Sequence, residues 1–519
     1  MSKSTQLDVK VKFGLKSFIA VVGILLAVLV FVGVLTFIIP AGRYTIYTTD
    51  ISKDGQPFYQ YTTDASLNNQ IVIDSFRQLT SAENHSRLPI IRWFTAPFEA
   101  LIFGSNSANM IMIIALLLVL GGTFKVLEES GGLVSLVRVI MRKLQSKRFA
   151  VIWAITAVIM ILSAVFGLQE QLLILYPVFA MLCTALNWSR FTAISFVLIA
   201  SGVGFTTAIT NPLTIGTASI AAGVSVADGL WYRCIIFCVM YVLTSLFLTY
   251  LAKRDEKRAT EKFDVQGFVA VSKEEHAEDV RKSTMIFVLF SVALLSVIIS
   301  TSIAALRSLA MVVMAVAVFV GTVFIGRVLL GSYKRLGKSF LAGVKDVLPS
   351  IVIIMIAFGI TYIAQQGNIL HTIFYYFYNS VTNISPYLAV VILNVYVLII
   401  EFFIPSASAK AVLIIPMLTL APIEGISKTV IILTYLFADG YTNVLYPTCG
   451  TLLVGLGLAN VSFAEWFKKT ILFQLLLFVV SIGFLMLSVF FGLYDMIRIV
   501  NMAYLLRCAV FFIVFLKAK

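Results

Sequence analysis

Two long apolar stretches of this chain are each broken twice by polar segments, and the breaks recur at a near-constant offset. The first stretch is interrupted at Gly167 to Gln171, ahead of Tyr176 and Pro177, and again between Thr206 and Pro212. The second is interrupted at Pro405 to Ala409, just before Lys410 and ahead of Pro416, and again between Asp439 and Pro447. Pro177 and Pro416 are 239 residues apart, and Pro212 and Pro447 are 235 apart. Trp231-Tyr232-Arg233 and Trp466-Phe467-Lys468 close the two units, again 235 apart. Backbone that leaves the helix within a membrane-depth run must be buried in protein or line a cavity. Paired interruptions in corresponding halves therefore point to a repeat-built membrane carrier whose binding site lies at the breaks.

Composition agrees. Hydrophobic residues make up 60% of the chain and charged residues 12%, which defines a polytopic membrane protein with the lipid bilayer as a partner. Residues 17–40 are too long and continuous for a signal peptide, and no small-x-small cleavage pattern follows. The formal charge of +14 does not mark a nucleic-acid binder, because Lys and Arg cluster in short loops at 138–148, 253–282, 334–338 and 468–469. That bias sets membrane orientation and places those loops on the cytoplasmic side of the cell membrane. Five cysteines without ligand spacing read as buried free thiols. Three histidines (85, 276 and 371), none near another, argue against a histidine metal centre or a Ser-His triad. Gly331 to Ser339 resembles a phosphate-binding loop, but five residues separate its glycines rather than four, so it reads as a basic inner loop.

The spans close into a consistent topology. A cytoplasmic N-terminus, 1–16, precedes a first repeat over 17–252. That repeat holds an external loop at 41–91, a re-entrant hairpin at 149–186 and a broken helix at 191–224. Within the loop, the Asp54-Gly55 turn between Tyr-rich segments suggests a small hairpin. A cytoplasmic linker, 253–283, and a connecting helix, 284–302, lead to a second repeat over 305–494. There a basic amphipathic segment, 332–346, separates two spans, a hairpin occupies 386–421 and a broken helix 427–459. A last helix in 495–519 brings the C-terminus to the cytoplasm. The single extra helix between the repeats inverts the second copy, so the expected fold is all-α, with two inverted-topology repeats.

Gly167 and Glu170 before Tyr176-Pro177, Thr210-Asn211-Pro212 with Gly216, Ile404-Pro405-Ser406, and Asp439-Gly440 with Thr442-Asn443, Pro447-Thr448 and Gly450 resemble the YfcC branch of the DcuC-type (anaerobic dicarboxylate carrier) family. This family sits within the ion transporter superfamily. The resemblance covers nearly the whole chain. It implies secondary active transport, opposed hairpins, an elevator-type motion and a homodimer, with dicarboxylates, short fatty acids or basic amino acids such as arginine and ornithine as substrates. The chain departs from the pattern at Gln171, where a second acid is expected, and at Lys410, where a small or amide residue is expected.

Charges near the bilayer centre cost about 2.5–3.5 kcal/mol each, so deep ones need a reason. Glu170 and Asp439 are candidates to bind a substrate ammonium, a sodium ion or a proton; alternatively one of them pairs with Lys410 as structural glue. Gln169, Gln171, Thr206, Thr207, Thr210, Asn211, Ser406, Ser408, Thr442, Asn443 and Thr448 add neutral hydrogen-bonding groups at the four breaks. Each hydroxyl has a second reading as a bond back to its own helix. A sodium site is expected near Thr210, Asn211, Thr442 and Asn443; Na+ or H+ is the candidate coupling ion, and no cofactor or firm metal site is expected. Two acids and one lysine leave such a pocket near −1, which favours a cationic amino acid. A proton- or sodium-coupled dicarboxylate or short-chain fatty acid carrier, with Lys410 as the anion contact, is the alternative. An ion channel or intramembrane enzyme fits worst, since no filter repeat or catalytic dyad is visible and the expected protein is not an enzyme.

Overall fold

The computed structural model describes residues 15–490, apart from 54–55, 64–71, 73–74, 81, 105–106, 145–147, 259–271, 303–308, 382–383, 405 and 421–424. The expected C-terminal helix in 495–519, most of the N-terminus 1–16, the Asp54-Gly55 turn and Cys508 lie outside the described residues. Nearly everything else is helical, as an apolar chain without water to satisfy its backbone requires. Ten of the described helices are long and apolar enough to span a bilayer, so the molecule is a multi-pass membrane protein.

The first half runs α1 (Leu15–Ile38), a largely non-helical segment, α2 (Ile90–Trp93), α3 (Ala96–Phe103), α4 (Ser107–Glu129) and α5 (Gly132–Leu144). Next come α6 (Arg148–Phe166), a 3-10 turn at Glu170–Leu175, α7 (Tyr176–Ala185) and α8 (Arg190–Thr207). A π-helical turn at Pro212–Gly216, α9 (Thr217–Ala222) and α10 (Leu230–Arg258) complete it. The second half contains α11 (Lys273–Ser302), α12 (Ala310–Leu330), α13 (Tyr333–Gln366) and α14 (Leu370–Val381). It continues through α15 (Pro386–Phe403), α16 (Ala407–Leu420), α17 (Lys428–Thr442), α18 (Gly450–Ala459) and α19 (Phe463–Phe490). The order helix, break, short helix, fully buried helix, break, short helix, long helix thus occurs twice, as α6 to α10 and as α15 to α19.

The two helices that precede the second breaks form the centre of the molecule. Every residue of α8 from Phe191 to Thr207 and of α17 from Thr429 to Thr442 is buried. Helices apolar all round belong in such interiors. Each starts on a serine N-cap, Ser189 accepting from the Thr192 N–H and Ser427 from the Val430 N–H. They touch where a Cβ on Gly440 would fall on the backbone and hydroxyl of Thr206. α4 and α13 meet as closely, since a Cβ on Gly343 would overlap the Gly121 carbonyl.

Several expectations need correction. The basic segment 332–346 is the first part of one 34-residue helix, α13, which runs through Pro349 and takes in the expected loop from Tyr333 onward. Neighbouring helices let a membrane helix absorb an interior proline. The linker 253–283 is helical at both ends. Asp255 accepts from Ser189 and Thr192 at the start of α8, and Asp279 pairs with Arg138 at 2.8 Å, so these charges anchor the ends of α10 and α11. In the segment between α1 and α2 the short strand Ile46–Thr48 pairs in parallel with Tyr59–Tyr61 rather than forming a hairpin, and Gly42–Arg43 pairs antiparallel with Arg77–Gln78. Cys183 and Cys449 are buried, whereas Cys234 and Cys238 are exposed on α10.

Candidate functional site

At the first tip, α6 stops at Gly167, whose φ of +74° favours glycine and where a Cβ would strike the Asn211 amide oxygen. The Ala164 carbonyl receives the N–H groups of both Thr210 and Asn211 at 3.1 Å, tying this tip to the break after α8. Asn211 in turn caps the π turn by accepting from the Leu213 N–H. Gln169 accepts from the Asn443 side-chain amide at 3.2 Å, which joins the first tip to the break after α17. Glu170 opens the 3-10 turn, and its carboxylate meets its own main-chain N–H but no ion-pair partner among the described residues.

At the second tip the chemistry differs. Lys410 in α16 is fully buried, with its ammonium 2.5 Å from Asp439 Oδ1 in α17 and ion-paired with Glu401 Oε2 in α15. Glu401 Oε1 and Asp439 Oδ2 are buried without a hydrogen-bond partner. The Lys410 ammonium also lies 5.6 Å above the Tyr435 ring, and the Tyr435 hydroxyl donates to the Ala407 carbonyl.

A cavity of about 460 Å³ lies between the tips and the paired helices α4 and α13. Its polar side includes Gln169, Glu170, Gln171, Ser406, Asn443 and Thr451, and Thr217 and Thr361 also line it. Its apolar wall includes Leu116, Leu120 and Phe124 of α4 with Val347, Ile354 and Phe358 of α13. Glu170 is the sole charged residue among the described residues that line it. The first turns of α16, at Ala407, and of α18, at Gly450 and Thr451, also open onto it. Helix N-termini present N–H groups and a partial positive charge.

The structure brings together only part of the expected site. Gln169, Glu170, Gln171, Ser406 and Asn443 line the cavity. Thr206, Thr207 and Thr442 are buried and donate to their own helix carbonyls, at Gly202, Gly204 and Ala438. Thr210 is exposed and donates to the Val165 carbonyl, while the Thr448 hydroxyl is buried without a partner. The side chain of Ser408 lies outside the described residues. Lys410 and Asp439 pair within an ion cluster one turn behind cavity residues Ser406 and Asn443, and neither lines the cavity. Of the four residues expected around a sodium ion, only Asn443 reaches the cavity. Glu401 was missed, and the only sign of it in the sequence is a lone acid in an apolar run. The α4 and α13 wall carried no chemical signal, being apolar.

The closing triplets act on the breaks themselves. Arg233 is buried and donates to the carbonyl of Ile209 at 3.2 Å and to those of Val226 and Asp228. Trp466 is buried and donates its indole N–H to the carbonyl of Val444 at 2.7 Å. Ile209 and Val444 are themselves 235 residues apart. Equivalent unwound carbonyls are thus satisfied in both halves, by different members of the triplet.

Ten candidate spans, with a cavity where four chain breaks meet, are the architecture of a multi-pass membrane protein, and the family match makes it a transporter. A family model described as "DcuC: C4-dicarboxylate anaerobic carrier" matches residues 18–490, and the chain belongs to this family. It is a carrier and not an enzyme. The chain is 24% identical over 491 residues to YfcC of Escherichia coli (strain K12), provisionally named a basic amino acid antiporter, covering 88% of this chain and 94% of that one. It is 22% identical over 486 residues to an uncharacterised protein of Haemophilus influenzae (strain ATCC 51907 / DSM 11121 / KW20 / Rd), covering 86% and 92%. Among solved structures it is similar to the YdaH transporter of Alcanivorax borkumensis, with a TM-score of 0.41, 17% identity, and 92% of this chain and 98% of that one covered. It is also similar to MtrF of Neisseria gonorrhoeae, with a TM-score of 0.43, 14% identity, and 91% and 95% covered.

Proposed function

We propose that this chain is a secondary active transporter that exchanges a small cationic amino acid, of the arginine or ornithine type, across the cytoplasmic membrane. One observation carries the reading. Glu170 is an unpaired carboxylate in a cavity whose described lining holds no basic side chain. The first turns of α16 and α18 face the same space and suit a substrate carboxylate. A carboxylate for the cationic end and two helix N-termini for the anionic end complement a basic amino acid. The name of YfcC points the same way. A dicarboxylate or short-chain fatty acid would rely on Lys410 as its anion contact, but that ammonium is held by Glu401 and Asp439.

The proposal includes inverted repeats over 17–252 and 305–494, with both termini cytoplasmic. It also includes an elevator motion in which the tips and buried helices slide against α4 and α13, whose cavity wall is largely apolar. A homodimer and a coupling Na+ or H+ belong to it as well. Counterflow tests it: liposomes holding the purified protein and arginine should accumulate labelled arginine or ornithine. Succinate uptake without arginine exchange overturns the reading. A panel of amino acids and carboxylates, run with and without sodium, identifies substrate and ion together.

A further inference from the structure

Three helices deliver the Glu401, Lys410 and Asp439 side chains to one point, each at 1% exposure or less. Two carboxylates against one ammonium leave one negative charge uncompensated in the protein interior. A buried, uncompensated charge is costly enough that such a group is neutralised instead. Two oxygens, Glu401 Oε1 and Asp439 Oδ2, are buried and lack a hydrogen-bond partner.

Among the described residues the surroundings supply no second cation. The other titratable groups facing the cluster are Tyr435, Cys449 and, across the cavity wall, Glu170. The cations on the packed elements lie at helix ends. Lys428 donates to the Ala222 carbonyl, Lys469 pairs with Glu465, and Arg190 opens α8.

We propose that the Glu401–Lys410–Asp439 cluster binds one proton, on Glu401 Oε1 or Asp439 Oδ2, and that this is the coupling proton of the carrier. In the loaded state an O–H bond forms on one carboxylate and the cluster is neutral. In the unloaded state the proton has passed to water and the cluster carries one negative charge. The cavity begins one turn away, at Ser406 and Asn443, so a cation entering beside Glu170 disfavours the proton and links the two movements in opposite directions. The coupling role rests on the transport reading above, but occupancy by a proton does not.

Infrared spectroscopy of the purified full-length protein tests occupancy without any substrate. At neutral pH a protonated-carboxyl stretch is expected that shifts on carboxyl isotope labelling of aspartate or glutamate. It should persist in Glu170→Gln and be lost in Glu401→Gln and in Asp439→Asn, where one carboxylate and one ammonium already balance. A wild-type spectrum without the band, or a band lost in Glu170→Gln and retained in both cluster variants, overturns the proposal. Should the cluster variants fail to fold, wild type and Glu170→Gln decide it by themselves. A band that behaves as expected in a protein without arginine exchange would keep the proton site and sink the substrate reading.

Discussion

Trp466 donates its indole N–H to the main-chain carbonyl of Val444 across 22 residues of chain, at the point where the second buried helix unwinds. An unwound carbonyl at that depth has no water to turn to, so the donor fixes where the break can form. Arg233 does the same for Ile209 in the other half.

Replacing Trp466 with Phe keeps the ring packed against Phe191 but strands the Val444 carbonyl. A buried polar group left without its partner costs about 1–3 kcal/mol. Thermal unfolding in detergent should show a lowered midpoint, while Trp231→Phe, at a half-exposed position, should leave it unchanged.

Glu170→Gln separates activity from stability. The carboxylate has no described ion-pair partner to lose, and a glutamine oxygen can still accept from the same main-chain N–H, so the unfolding midpoint should hold or rise. A hydrogen bond to a charged group contributes about 1.5–3 kcal/mol, so affinity for a cationic substrate should fall about 10- to 100-fold. Equal counterflow rates in wild type and variant would remove Glu170 from the site.

Lys410→Met leaves two buried carboxylates facing each other and should destabilise the protein by about 3–5 kcal/mol. Adding Glu401→Gln and Asp439→Asn to that variant should restore most of the loss, because the cluster is then neutral throughout. Yield and unfolding midpoint after detergent extraction would reveal a triple variant no better than the single one.

Gly440→Ala should prevent assembly, because its Cβ meets the backbone of Thr206 rather than a movable side-chain end. Gly337→Ala, in α13 with open space around the new carbon, should be neutral or stabilising by about 1 kcal/mol. Size-exclusion profiles of the two variants should differ accordingly.

His371, outside the spanning helices, accepts the Tyr44 N–H, and burial pushes its imidazole from the usual 6.5 down to about 4. The folded protein therefore holds it neutral where the unfolded chain would already be charged. The sign follows: its contribution is complete above about pH 6.5 and is lost as acidity carries the medium toward pH 4. Unfolding midpoints should fall across that window in wild type and less steeply in His371→Asn.

The breaks were legible because glycine, proline and polar residues inside apolar runs leave few alternatives. Gly167, Asn211 and Asp439 each stand where the helix stops or where charge is concentrated. The joining of 332–346 to the next span was hidden by Pro349, which reads as a stop in water but not among packed helices. Glu401 and Lys410 are nine residues apart in sequence, on either side of an undescribed proline, and only the fold of the tip makes them partners. Hydroxyl-rich breaks overstated the site, since a buried threonine in a helix meets its needs most cheaply at the carbonyl one turn back, as Thr206, Thr207 and Thr442 do. The cavity wall of α4 and α13 had no sequence mark, because ordinary leucine, valine and phenylalanine form it.

The absence of a side chain at Gly440 has a consequence for how such a chain can change over generations. Thr206 from the first half fills that space, so neither half is free to drift at this point without an answering change in the other. Substitutions here should arise in pairs or be purged, and the two halves, whatever their separate chemistry, share one mutational fate at their crossing.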